Sequence, residues 1–172
     1  MSGLARYFKA GGVLVSGYDR TSTTLTDELI KEGMAIHYTD SVSNIPEEVK
    51  TSSREEALIV YTPAIPESHS ELKYFRENKF NIIKRAELLG LLTQNHTTIA
   101  VAGTHGKTTT SSLIAHIFKY AEKNCTAFLG GIARNFNSNL VLSEEKNKSE
   151  RIMIVEADEY DRSFLKLYPD IA

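Results

Sequence analysis

The 172 residues are 41% hydrophobic and 24% charged, the proportions of a globular chain with enough apolar material for one core or two small ones, which excludes a disordered or low-complexity polymer. A formal net charge of -2 supplies no broad basic field, so no nucleic acid is expected as a partner and any phosphate has to be held by a local site. The single cysteine, Cys125, has no internal disulfide partner and reads as a small core residue, and neither a signal-peptide pattern nor a run of about 18 apolar residues occurs, so a cytoplasmic protein that makes no membrane contact is expected.

In chain order, a helix-like "SGLARYFKAGG" opens the sequence, and short apolar runs then recur at 13–19, 34–38, 57–61, 80–84, 98–103, 126–131 and 151–158. Continuous apolar runs of this length suit strands covered on both faces, as in a parallel sheet. Between them lie the amphipathic stretches "TLTDELIKEG", "ESHSELKYFREN", "KRAELLGLLTQ" and "KTTTSSLIAHIFKYAEK". Strand and helix alternate, which predicts an α/β fold built on an open, doubly wound parallel sheet. A polar break at "TQNHTT", residues 93–98, predicts two units, 1–93 and 97–172. The opening helix has no strand before it and the closing "YPDIA" reads as the entry to another strand, so a piece of a longer protein is expected. The polar "SEEKNKSE" at 143–150 reads as a solvated loop.

Residues 99–112, "IAVAGTHGKTTTSS", carry the chemistry. A phosphate-binding loop needs inward backbone N–H groups, glycines where a side chain would block the approach, a lysine for the outer phosphates and a hydroxyl for magnesium. Gly103, Gly106, Lys107 and Thr108 stand in the matching places, after a strand and before an amphipathic helix. Val101 occupies the position at which the longer GxxxxGK[ST] pattern has its first glycine, so the match is to a shorter form, "GTHGKT". His105, at the crown of the loop, is expected to offer its backbone N–H rather than its imidazole; His37, His69, His96 and His116 share no metal-ligand spacing.

A second acidic station follows the last apolar run: Glu156, Asp158, Glu159 and Asp161 in "IMIVEADEYDRSF". Carboxyl ends of strands line the ligand crevice of an open α/β sheet, and magnesium on a nucleotide takes oxygen ligands from one or two protein groups, so Thr108 with Glu156 meets that need. The competing reading is a solvated acidic turn that caps the next helix through Asp161 or Ser163.

The sequence resembles the Mur ligases of peptidoglycan synthesis. The resemblance rests on "GTHGKTTT" and "EADEYDRSF", which are specific together, and on "VYTPAIP", "RAELLGLL" and "MSGLA", which are weak alone; these blocks span almost the whole chain in family order. It implies a Rossmann-like domain for the UDP part of the substrate over 1–93, lacking its first strand and glycine-rich turn. The start of a central P-loop α/β ATPase domain would follow over 97–172, with the rest of that domain and a C-terminal domain absent. It further implies that Gly103, Thr104, His105, Gly106, Lys107, Thr108 and Thr109 cradle ATP, with Lys107 neutralising its β and γ phosphates, and that Thr108 and Glu156 hold Mg2+. Asp19 and Thr62 would face the uridine diphosphate, and Asn135, Asn137 and Asn139, in a loop, the muramoyl group; a plain surface loop is the alternative for the asparagines.

The implied reaction is an ADP-forming amide synthesis in which L-alanine is joined to UDP-N-acetylmuramate through an acyl phosphate, with Lys107, Thr108 and Glu156 as the catalytic set. A family branch that attaches a ready-made tripeptide shares "GTHGKTTT", but the short run from "RSFLKL" into "YPDIA" favours the alanine branch. Outside the family, a P-loop ATPase that makes no bond and a UDP-sugar binding module remain as readings. The piece alone is expected to be inactive.

Overall fold

The computed structural model describes residues 1–143, 152–157 and 164–172. Two compact units divide the chain: one comprises Ser2 and Leu4–Arg85, the other Met1, Gly3 and Ala86–Ala172. No helix among the described residues is long and apolar enough to cross a membrane.

In the first unit, β1 (Ser16–Tyr18) and β2 (Ala35–His37) pair in parallel, and so do β3 (Leu58–Tyr61) and β4 (Asn81–Lys84). Parallel neighbours need a crossover, and the helices α2 (Thr24–Lys31) and α4 (Ser70–Glu77) lie between the members of each pair in sequence. α1 (Ser2–Ala10) precedes them and the short α3 (Glu47–Thr51) follows β2. α2 starts on a reciprocal cap: the Thr23 hydroxyl accepts from the Thr26 amide, and the Thr26 hydroxyl accepts from the Thr23 amide, which satisfies two donors that a helix start leaves open. Arg6 of α1 reaches Glu28 and Glu32 at the end of α2 at 3.1 and 2.7 Å. Ile45, Phe75 and Phe80 form a buried cluster, and the Arg54 guanidinium stacks 3.9 Å above the Phe80 ring, a contact that holds the cation over the negative ring face.

The second unit carries a four-stranded sheet in the order β5-β8-β6-β7, with β5 (Thr97–Val101), β6 (Cys125–Ala133), β7 (Ser138–Val141) and β8 (Ile152–Glu156). β8 is central and parallel to both β5 and β6, and its Met153, Ile154 and Val155 are fully buried, which is why the run reads as unbroken apolar residues rather than an alternating pattern. α6 (Lys107–Tyr120) crosses from β5 to β6 and buries Ala115 against Cys125, Ala127, Leu129 and Ile154.

The parallel α/β fold expected from the sequence is present, but among the described residues the strands of the first unit form two separate two-stranded sheets rather than one open sheet, and the second unit differs as well. β7 runs antiparallel to β6, so the sheet is mixed; residues 134–137 form the hairpin turn, and Ser138 and Asn139 already belong to β7. The turn of that hairpin places Asn137 in the left-handed region at φ 52°, a conformation that asparagine tolerates better than most residues.

The spatial division falls at Arg85 and Ala86, ahead of the polar break at 93–98. α5 (Arg85–Thr93) packs with the second unit because it meets residues 164–172 there. A Cβ on Gly90 would collide with the Lys166 carbonyl, and the Thr93 hydroxyl accepts from the Tyr168 amide at 3.2 Å. The same segment closes on the outer strand: Ala100 donates to the Ile171 carbonyl at 2.8 Å, and Thr98 to the Asp170 carboxylate at 2.7 Å. The "DIA" entry to a strand thus pairs with β5 through an isolated parallel bridge at Ile99 and Ile171.

Candidate functional site

The site of the second unit sits where β5 and β8 end side by side. Register pairs Val101 with Glu156, and the Ala157 amide donates to the Val101 carbonyl at 2.9 Å, so the loop leaving β5 and the carboxylate ending β8 emerge together at the carboxyl ends of the strands. Carboxyl ends of parallel strands are where open α/β sheets bind ligands.

The loop itself needs its glycines. Gly103 has φ 127° and Gly106 φ 81°, conformations in which an L side chain is strained. Gly106 is also the N-cap of α6 and supplies no side-chain cap. The first-turn amides of α6 have no intrahelical acceptor, so the helix start presents N–H groups and the positive end of its dipole to an anion. Thr104, His105 and Thr109 are exposed around this opening. The Lys107 ammonium folds back onto the loop and donates to the Gly103 carbonyl at 2.6 Å; a phosphate oxygen arriving there is a stronger, charged acceptor for the same donor.

Glu156 is held from three sides. Its Oε2 accepts from the Thr108 hydroxyl at 3.1 Å, while Oε1 accepts from the Gly130 amide at 2.6 Å and from the Ser111 hydroxyl at 3.0 Å. Gly130 is a close approach: a Cβ there would stand 3.0 Å from Glu156 Cδ and 3.2 Å from Thr108 Oγ1 and would overlap Oε2. Neither Gly130 nor Ser111 was singled out by sequence reasoning. The signals available were a glycine pair ending a strand in "TAFLGG" and a serine three residues past Thr108, on the same helix face.

Each carboxylate oxygen accepts about two hydrogen bonds. Oε1 takes two donors and Oε2 one, so Oε2 and Thr108 Oγ1, whose proton is turned onto Oε2, keep lone pairs for a hard cation. That donor set fits magnesium, which is satisfied by one or two protein oxygens when phosphates and water complete its octahedron.

The other expected residues lie apart from this cluster. In the first unit, Asp19 directly follows β1; its amide donates to the His37 carbonyl at 3.0 Å and its Oδ1 accepts from the Thr21 amide at 3.5 Å. Thr62 directly follows β3, with its carbonyl accepting from Ile65 at 3.1 Å. In the second unit, Asn135 and Asn137 are exposed and Asn139 lies on β7 rather than in the expected loop; the Asn135 amide lies 3.5 Å from His116 Nδ1. Asp158, Glu159, Asp161 and Ser163 fall outside the described residues, and so does most of "SEEKNKSE".

A further polar cluster in the first unit starts α4. Asp40 accepts from the Ser70 and Glu71 amides and the Ser70 hydroxyl, and buried Glu71 accepts from the Ser41 amide and pairs with His37 Nε2 at 2.7 Å. Desolvation pushes the Asp40 carboxyl up, but hydrogen bonds from the Ser70 hydroxyl and amide, the charge of the adjacent His69 and a hydrogen bond from the Glu71 amide outweigh it and hold Asp40 below its ordinary value.

Residues 1–97 match the family model described as "Mur ligase family, catalytic domain" and residues 101–172 the "Mur ligase middle domain". Over all 172 residues the chain is 51% identical to a UDP-N-acetylmuramate--L-alanine ligase of Cytophaga hutchinsonii and 52% identical to one of Flavobacterium psychrophilum. It covers 36% and 37% of those proteins, so it spans about a third of the length of the curated relatives it matches. Among solved structures, a UDP-N-acetylmuramate:L-alanyl-gamma-D-glutamyl-meso-diaminopimelate ligase from Neisseria meningitides superposes with a TM-score of 0.83 at 26% identity, over 100% of this chain and 55% of that one. A UDP-N-acetylmuramate-alanine ligase from Thermotoga maritima superposes with a TM-score of 0.80 at 26% identity, over 99% of this chain and 37% of that one. With both units matched in order by the family's models, the chain belongs to the Mur ligase family.

Proposed function

We propose that this chain is the UDP-substrate unit and the beginning of the ATP unit of a ligase that joins L-alanine to UDP-N-acetylmuramate in peptidoglycan precursor synthesis, in the cytoplasm. The observation that carries the nucleotide part is the Thr108 hydroxyl bonded to the Glu156 carboxylate at 3.1 Å beside a glycine loop with Lys107 at its end. The names and the identity of about half of all positions in relatives such as that of Cytophaga hutchinsonii support the choice of substrates.

A carboxylate is a poor acceptor for an amine near neutral pH, and its phosphorylation supplies a leaving group. In this reading the muramoyl carboxylate attacks the γ-phosphate of ATP, ADP leaves, and the alanine amine displaces phosphate from the acyl phosphate. Lys107 exchanges the Gly103 carbonyl for phosphate oxygens. The loop amides from Gly103 to Thr109 hold the phosphate chain in line, and Glu156 and Thr108 present oxygens to Mg2+, which when bound offsets phosphate charge. Catalysis of this kind is positioning and charge neutralisation rather than proton transfer by a side chain. Asp19 and Thr62 are assigned to the uridine diphosphate, and Asn135, Asn137 and Asn139 to the muramoyl group.

The test is ADP release by the complete ligase carrying these residues. Release that requires both UDP-N-acetylmuramate and L-alanine is expected. Release with ATP alone would identify an ATPase that makes no bond, and release that requires a tripeptide in place of L-alanine would identify the recycling branch. Residues 1–172 alone are expected to release no ADP in response to alanine.

A further inference from the structure

Ser111 lies one turn into α6, fully buried, and three acceptors surround its hydroxyl: the Lys107 carbonyl at 2.9 Å, the Thr108 carbonyl at 3.2 Å and Glu156 Oε1 at 3.0 Å. A hydroxyl has one proton to give. In an α-helix the Lys107 and Thr108 carbonyls are served by the backbone amides four residues on, so neither depends on the side chain. Oε1 is anionic, and a hydrogen bond to an ionised acceptor is roughly twice as strong as a neutral one. The proton therefore belongs on Glu156.

We infer that Ser111 is a positioning residue for the nucleotide-bound cation: with the Gly130 amide it saturates Oε1 of Glu156 and so leaves Oε2, the oxygen shared with Thr108, as the one that meets the metal. The terminal torsion of a glutamate is broad and roughly two-fold, so a carboxylate bound only through Thr108 and Gly130 has alternative orientations. A second donor on Oε1, fixed on the same helix as Thr108, removes them. Ser111 touches neither nucleotide nor reacting atoms in this scheme; it acts through Glu156, in the way that groups behind a metal ligand set its orientation. The inference rests on the reading of Glu156 as a ligand of nucleotide-bound magnesium.

The experiment uses the complete ligase and measures Mn2+ affinity in the presence of ADP from the free-Mn2+ paramagnetic resonance signal, together with ADP affinity without metal and the urea midpoint. Ser111→Ala is expected to weaken Mn2+ binding about 10-fold or more with metal-free ADP binding unchanged, and to raise the Mg2+ concentration needed for half-maximal turnover. Ser111→Thr, which keeps the hydroxyl, is expected to restore most of the affinity. A purely structural serine would lower the urea midpoint and leave Mn2+ affinity within about twofold of wild type; that result, obtained alongside a large loss in Glu156→Gln, overturns the inference. An unchanged affinity in Glu156→Gln overturns instead the magnesium reading beneath it. If Ser111→Ala yields no folded protein, Ser111→Cys, similar in size and a weak donor, is held to the same expectation.

Discussion

Gly130→Ala isolates the close approach between β6 and the carboxylate of Glu156. The position has no left-handed backbone that alanine would resist, so the perturbation is the methyl group itself. It would lie 3.0 Å from Glu156 Cδ and 3.2 Å from Thr108 Oγ1, and inside the contact distance of Oε2. Glu156 is a flexible side chain and can swing away, but only by giving up the bonds that pin it. A charge-assisted hydrogen bond contributes about 1.5–3 kcal/mol, and adding a methyl to a filled space costs about 1–3 kcal/mol. Partial relaxation puts the expected loss of stability near 2 kcal/mol, small enough for the fold to survive. The functional loss is expected to be larger in proportion, with turnover by the complete ligase reduced about 10- to 100-fold through displacement of the carboxylate proposed to meet magnesium. The assay is a double-mutant cycle on urea midpoint, combining Gly130→Ala with Glu156→Ala. If the methyl acts by striking the carboxylate, its cost largely disappears once Glu156 is truncated. Equal costs in both backgrounds would refute the steric account and place the effect in the backbone of β6.

Three further outcomes follow from named contacts. Gly106→Ala, at φ 81° with open space around the Cβ, is expected to cost about 1–2 kcal/mol of backbone strain and to weaken ADP binding, checked by urea titration and calorimetry; an unchanged midpoint would mean that the loop relaxes out of the left-handed region. Asp40→Ala removes the acceptor that caps α4 and is expected to cost about 1 kcal/mol. Because folding lowers the Asp40 value from its ordinary 3.8, the stabilisation is complete above that value and is lost as pH falls through the lower folded one. The gap between wild type and variant should therefore be constant above about pH 5 and close only below pH 4, a trend read from urea midpoints across pH. Burial pushes the Cys125 thiol up, against a small opposing influence of Lys119, and the residue is fully buried; no labelling by a thiol reagent is expected in the native protein at pH 8, with full labelling in urea, and rapid native labelling would contradict the packing of α6 on β6.

The strands and long helices were legible because each carries its own periodicity: β8, buried at its centre, reads as "IMIV", and α6 as an amphipathic run after a glycine-lysine-threonine turn. The meeting of Lys107, Thr108 and Glu156 was legible for a different reason: a glycine turn opens the helix that starts with Lys107 and Thr108, and Glu156 ends an apolar strand. The short α3 and the antiparallel β7 were not. Five residues of helix leave too little periodicity to register, and "NFNSN" has turn composition although two of its residues complete a hairpin stabilised by β6. Ser111 and Gly130 escaped notice because their roles exist only in three dimensions. A serine inside a helix ordinarily returns its proton to the preceding turn, and nothing local distinguishes one that faces a carboxylate 45 residues away. The commitment of α5 to the second unit was hidden for the same cause: its partners lie far along the chain, the Gly90 backbone meeting residue 166 and the Thr93 hydroxyl residue 168. Sequence marks the groups that a ligand would select directly, and the groups that select for those groups become visible only when the sheet brings β6, β8 and α6 together around one carboxylate.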